Sequence, residues 1–219
     1  MSSPNDALIR LFSRRTRTYD RFIRCMLYPQ GLRAFLRRSP LLRSGLAILD
    51  AGCGTGALTL ALRRALADRA LTVRLFHGFD LTPAMLEHLR TRLGAQAIGD
   101  VELRQADVLR LDTLPPEWNG YDLIVSASML EYVPRERLAE ALSGLRARLN
   151  PDGRFVLFIT RRSWLMRPLI GRWWRSNLYT AAEVQDALVQ AGFGTVAFHS
   201  FPPLFQHLDA WGHIAEAGI

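Results

Sequence analysis

Residues 48–56 read Ile-Leu-Asp-Ala-Gly-Cys-Gly-Thr-Gly, an apolar run with an acid at position 50 and glycines at 52, 54 and 56. This pattern predicts a strand entering a turn with few Cβ atoms, where the backbone lies against a ligand and the N–H groups of the following helix face it. Asp50 stands just ahead of the turn. A carboxylate in a partly dry pocket repels phosphate, so the expected ligand is a small polar cofactor carrying a cation near Asp50. A plain strand-to-helix connection is the competing explanation, and three alternate glycines behind an acid disfavour it.

The same punctuation recurs downstream. After a helix predicted over 57–69, Val-Arg-Leu-Phe-His-Gly-Phe-Asp (73–80) predicts a second strand with Asp80 at its C-terminal end. An acid there accepts hydrogen bonds from ribose hydroxyls in nucleotide-binding α/β folds. Asp80 also suits the start of a helix at Thr82-Pro83, and the two roles are compatible. A third strand over 101–106 ends at Asp107-Val108, where a carboxylate can meet the exocyclic amine of adenine; a solvated loop acid is the alternative. A fourth, Tyr121–Ser126, runs into Ala-Ser-Met-Leu-Glu-Tyr-Val-Pro (127–134).

Together "ILDAGCGTGALT", "FHGFDLTPAML", "ADVLRL", "YDLIVSASMLEYVP" and "LNPDGRFVLFIT" resemble the class I S-adenosylmethionine-dependent methyltransferases, closely over 46–160 and loosely over 161–219 through "YTAAEVQDALVQAGF". The resemblance implies an α/β fold, a Rossmann-like seven-stranded and mostly parallel sheet flanked by helices, with S-adenosylmethionine along the C-terminal strand edge. It divides the chain into a basic helical cap (1–45), a cofactor-binding core (46–160) and an acceptor-side segment completing the sheet (161–219). It assigns the turn of Gly52, Cys53, Gly54 and Gly56, behind Asp50, to the methionine part of the cofactor and Asp80 to the ribose. Leu81 and Met85 fall to the adenine surroundings, Asp107 and Val108 to the adenine edge, and Ser126 to the floor beneath the sulfonium. Met85 reads equally as helix core.

"LFSRRTRTYDRF" is similar to the opening of the ubiquinone/menaquinone-biosynthesis branch and its phospholipid N-methyltransferase relatives, with Tyr19-Asp20 as the matching pair. A ring at Tyr19 over the sulfonium would contribute roughly 0.5–2 kcal/mol, while a buried helix position is the alternative. The implied chemistry is in-line displacement, accelerated by proximity, alignment and exclusion of water. Where the acceptor must lose a proton, Glu131, Tyr132, His199 and His207 are the titratable candidates. Relatives often carry histidine near position 131, so Glu131 departs from the pattern, and both histidines also read as structural.

A chain of 219 residues with 49% hydrophobic content suits one α/β domain. Cys25 and Cys53 form no Cys-x-x-Cys pair, which argues against a disulfide framework or a metal site and for reduced, cytoplasmic thiols. No apolar run is long enough to span a membrane and no secretory signal is evident; the Arg-rich start resembles a transit peptide without a cleavage boundary.

All 28 basic residues are arginine, a coding bias more than a chemical demand. Their placement carries more information: residues 1–45 hold ten against Asp6 and Asp20, a net +8 equal to that of the whole chain. Residues 161–175 add five arginines, no acid and three tryptophans. Leu8, Leu11, Phe12, Tyr19, Phe22, Ile23, Met26 and Leu27 recur at helical spacing between Arg10, Arg14, Arg17, Arg21 and Arg24. Such a helix serves as a lid, as a peripheral anchor on an anionic membrane surface, or as a contact for an acidic partner. Trp164, Trp173 and Trp174 suit a membrane interface or the wall of an acceptor pocket.

The acceptor reading is therefore a small molecule or a lipid. A nicotinamide oxidoreductase is the first alternative, since residues 52–57 satisfy the permissive G-x-G-x-x-A form, but Asp50 and Asp107 argue against it. A nucleic-acid methyltransferase would set the basic blocks on phosphates. Strand four, however, ends in Ser-Ala-Ser-Met instead of Asn/Asp-Pro-Pro-aromatic. A non-catalytic cofactor-binding protein stays open.

Overall fold

The computed structural model describes residue 21, residues 23–162 and residues 176–219. Seven strands form one sheet: β1 (Leu46–Ala51), β2 (Val73–Asp80), β3 (Glu102–Gln105), β4 (Tyr121–Ala127), β5 (Leu149–Thr160), β6 (Thr195–His199) and β7 (Gly212–Gly218), in the order β3-β2-β1-β4-β5-β7-β6. The first five are parallel, and β7 runs antiparallel between β5 and β6. Helices α1 (Tyr28–Arg38), α2 (Ala57–Asp68), α3 (Pro83–Gly94), α4 (Leu138–Arg146) and α5 (Ala181–Gln190) cover the sheet. This is the seven-stranded, helix-flanked architecture that the sequence led us to expect. β3 is shorter than the run 101–106, and the first core helix ends at Asp68 instead of 69.

All six residues of β1 are buried, as a central strand covered on both faces requires. Its side chains alternate between two cores. Ile48 packs with Leu32 and Leu36 of α1 and Leu58, Leu62 and Leu66 of α2, whereas Leu49 packs with Leu138, Leu142 and Leu145 of α4 and Leu188 of α5. β5 repeats the alternation, with Val156 and Phe158 on the first face and Phe155, Leu157 and Ile159 on the second.

The strand order reverses at β1. β2 and β3 extend the sheet to one side of it and β4 and β5 to the other, opening a crevice at the C-terminal ends of β1 and β4. Gly52, Gly54 and Gly56 lie at that crevice with φ of 75°, 51° and 86°. Gly56 precedes α2 and sits against α3, where a Cβ would fall 2.2 Å from Leu89 Cδ1. Gly56→Ala should therefore cost about 2 kcal/mol, combining the left-handed backbone with displacement of Leu89. The measurement is urea unfolding, with a lowered midpoint and unchanged slope expected; a midpoint equal to wild type would show that the turn reorganises freely.

Candidate functional site

The crevice holds a cleft of about 940 Å³ whose walls come from the glycine turn, the ends of β2 and β4 and the segment after β3. Gly52, Cys53, Gly54, Asp80, Leu81, Met85, Asp107 and Val108 all line it. Gly52 and Cys53 donate their N–H groups to the Phe79 carbonyl, locking the turn onto β2. Gly54 N–H donates to Asp80 Oδ2 at 2.9 Å and Thr82 N–H to Asp80 Oδ1 at 2.8 Å. Asp80 thus holds the turn ahead of α3, whose N-cap is Thr82, while remaining on the cleft wall, with lone pairs left on each oxygen for further donors. Burial raises its pKa, opposed by the N–H groups of Thr82 and Gly54.

Three residues expected at the cofactor stand behind the wall instead. Asp50 is fully buried and does not line the cleft; Oδ2 accepts from Thr59 Oγ1 at 2.6 Å, tying β1 to α2, and Oδ1 has no hydrogen-bond partner. Desolvation pushes its pKa up to about 7, the Thr59 hydrogen bond opposing and Asp80 adding to the rise. Gly56 faces α3. Ser126 is buried and donates Oγ to the Ala51 carbonyl at 2.8 Å, fastening β4 to the end of β1, while Ser128, two residues on, reaches the cleft. Ser128 has φ of 53°, an uncommon conformation for a residue other than glycine. Tyr19 lies outside the described residues, as does most of the basic N-terminal stripe and the Trp-bearing stretch 163–175.

A second cavity of about 670 Å³ adjoins the first, and the two share Tyr28, Ser128 and Tyr132. Its lining is mainly apolar, including Phe158, Phe201, Leu208 and Trp211, with Glu131, Thr160 and His213 among the polar members. Glu131 Oε1 accepts from Thr160 Oγ1 at 2.6 Å, and Oε2 has no hydrogen-bond partner. Burial pushes the Glu131 carboxyl up to about 7, against the Thr160 hydrogen bond. His213 Nε2 donates to the Tyr179 carbonyl at 3.2 Å, and burial, then Arg161, holds its pKa below the usual range.

Of the four titratable candidates, Glu131 and Tyr132 line this cavity and His199 and His207 do not. The β6–β7 hairpin carries His199 to the sheet edge, where Nε2 contacts Glu216 at 3.0 Å, and His207 Nε2 donates to the Met26 carbonyl at 3.1 Å. Sequence reasoning missed Tyr28, Ser128, Thr160 and His213. Nothing local marks them, because each reaches the site from a different element. Only the Ser-Ala-Ser-Met end of strand four carried a signal, a polar pair where a strand meets a glycine-lined crevice.

The cofactor cleft carries the acids Asp80 and Asp107, and none of its described lining residues is basic. That donor set suits a ligand with hydroxyls, an amine and a cationic centre, and it disfavours a pyrophosphate. The methyltransferase domain family matches residues 48–153. A highly reducing polyketide synthase of Emericella nidulans is 31% identical over 203 residues, spanning 85% of this chain and 8% of that protein. A carboxy-S-adenosyl-L-methionine synthase of Chromohalobacter salexigens is 32% identical over 117 residues, spanning 53% of this chain and 40% of its own length. The chain thus spans less than half of either curated relative. Among solved structures, magnesium protoporphyrin IX methyltransferase of Synechocystis PCC 6803 with bound S-adenosylmethionine superposes with a TM-score of 0.68 at 19% identity, over 99% of this chain and 97% of that one. That likeness concerns the fold.

Asp50 makes a pH signature. A buried acid with a raised pKa is neutral in the fold and ionises more readily when unfolded, so its contribution is present at low pH and lost as pH rises toward about 7. Asp50→Asn keeps an acceptor for Thr59 without the charge. Its thermal midpoint should gain on wild type between about pH 5 and about pH 7.5; a difference that is flat with pH would mean Asp50 is ionised throughout.

Proposed function

We propose that this chain, whose residues 48–153 are a methyltransferase domain on the class I fold with S-adenosylmethionine as its cofactor, methylates a small or lipid-like acceptor held in the second cavity. The observation that carries this reading is the junction of the two cavities at Tyr28, Ser128 and Tyr132: a cleft that carries Asp80 and Asp107 adjoins a second, mainly apolar cavity. When bound, the cofactor supplies an electrophilic methyl group on a sulfonium.

The chain's own residues do the rest. Asp80 would hold the ribose hydroxyls, with Leu81, Met85 and Val108 against the adenine and Asp107 at its amine. The glycine turn at Gly52–Gly54 would face the methionine end. Tyr28 and Tyr132 stand where the cavities meet, so they can orient an acceptor and exclude water, which serves alignment for the displacement. The likeness of the N-terminal stretch to quinone and phospholipid methyltransferases supports a lipid-like acceptor, and the apolar lining supports it too.

Asp80→Ala should weaken S-adenosylhomocysteine binding by roughly 1.5–3 kcal/mol in calorimetry. It should also lower the midpoint of the ligand-free protein, because two buried N–H groups lose their acceptor. Unchanged affinity beside a lowered midpoint would assign Asp80 to the fold alone.

The concentration of +8 in residues 1–45, with an apolar stripe at helical spacing, supports docking on anionic membranes. Each arginine near such a surface contributes about 1 kcal/mol, weakened by salt. Vesicles containing phosphatidylserine should pellet the protein at low salt and zwitterionic vesicles should not. Changing Arg10, Arg14, Arg17 and Arg21 to Gln should abolish the difference; equal partitioning to both vesicle types would remove the membrane from the proposal.

A further inference from the structure

We infer that Glu131 receives the proton of the acceptor, and that the second cavity therefore takes a neutral molecule with an ionisable hydrogen on its reacting atom and rejects carboxylates. The inference rests on the methyl-transfer reading of the site and adds the class of acceptor.

Glu131 is 2% exposed and lines the second cavity, with one carboxyl oxygen held by Thr160 and the other without a partner. A buried polar atom left unsatisfied is costly, and Oε2 belongs to a residue on the cavity wall, where a small shift of the carboxyl would let a ligand donor complete it. The fixed oxygen sets the orientation of the carboxyl, and Oε2 remains available for a donor. The burial that lifts Glu131 to about 7 makes it both a competent proton acceptor and a group that changes charge near neutral pH.

The charged and titratable neighbours leave this role to Glu131. Tyr132 shares the cavity, and His213 from β7 shares it with its pKa lowered by burial and then by Arg161. Tyr179 lies on the segment packed against Glu131, its own pKa raised by burial. The Arg135 guanidinium sits over the Tyr179 ring at 4.4 Å, and Arg135 and Arg162 both pair with Glu183. Among the described residues, no cation is paired with Glu131.

The balance is simple. As the acceptor atom forms its bond to the methyl carbon, sulfur keeps the pair from the breaking bond and the acceptor's proton passes to Oε2. The sulfonium charge and the carboxylate charge vanish together. A carboxylate acceptor has no proton to give and would set a second negative charge against Oε2 in a largely apolar cavity, where like charges repel far more than in water.

The test uses the full chain saturated with S-adenosylhomocysteine, with 2-naphthol and 2-naphthoate as probes in calorimetry from about pH 6 to about pH 8.5. At the upper end, 2-naphthol should bind at least about tenfold tighter than 2-naphthoate, and the preference should shrink toward pH 6 as Glu131 takes up its proton. Glu131→Gln should erase the pH-dependent part of the preference while leaving S-adenosylhomocysteine affinity unchanged. Equal binding of the two probes by wild type at high pH, a pH-dependent preference that survives in the Gln variant, or failure of both probes to bind would each overturn the inference. Should the Gln variant not fold, the wild-type pH series decides alone. Loss of S-adenosylhomocysteine binding by wild type would strike instead at the methyl-transfer reading.

Discussion

The carboxylate of Asp80 holds the site together. By accepting from Gly54 N–H and Thr82 N–H, it joins the turn that follows β1 to the turn that follows β2, the two loops that must stay in register for a cleft to exist between them. The Gly52 and Cys53 N–H groups on the Phe79 carbonyl of β2 brace the same turn beside it. Burial works against the ionised form of Asp80, and the N–H groups of Thr82 and Gly54 offset it. The arrangement persists because backbone groups that would otherwise be stranded in a partly dry crevice find an acceptor there.

Around that anchor lie two adjoining cavities, each mainly apolar and each holding at least one acid. The cofactor cleft pairs apolar side chains with the acids Asp80 and Asp107 and with turn amides, while the adjoining cavity is walled by Phe158, Phe201, Leu208 and Trp211 with a few polar exceptions. The side chains of β1 and β5 alternate between the two cores, which is why both fill. Asp50, Thr59, Ser126 and Ala51 form a supporting layer beneath the turn: a hydroxyl to a carboxylate, and a hydroxyl to a carbonyl, each bridging two elements. These bonds fix the height of the turn above the sheet, and that height sets the depth of the cleft.

The second cavity depends on residues from distant stretches of chain. Thr160 ends β5, Glu131 follows β4, His213 opens β7, and Phe201 and Leu208 come from the excursion between β6 and β7. Reversal of β7 makes this possible. An antiparallel strand beside β5 sets His213 opposite Ile159 at the end of the sheet where β1 and β4 also terminate, and the Asn177 N–H bond to the Glu131 carbonyl draws the segment before α5 against the same end. The second cavity thus joins the C-terminal part of the sheet to the segment after β4 and the entry to α1, while the cleft at the glycine turn is built mainly around the ends of the first four strands.

The amino-acid sequence by itself determined the elements and the cofactor wall. Its glycine spacing, its apolar runs and an acid at or near the end of each of the first three strands are local facts, and local backbone chemistry obeys them: a positive φ at Gly52, Gly54 and Gly56 needs only glycine, and β1 needs only its apolar run. Tertiary structure alone decided which acids face the ligand. Asp50 and Asp80 read alike as carboxylates beside the glycine turn, yet one is sealed against Thr59 and the other lines the cleft. The histidines at 199 and 207 were legible as titratable, but their distance from the cavity follows from the β6–β7 hairpin, and His213 entered it for the same reason. Glu131 was visible as an acid at a strand end; its orphaned oxygen arises only when Thr160, 29 residues away, claims the other one. Such pairings are set by packing across the sheet, where residues far apart in sequence meet, and no spacing along the chain encodes them.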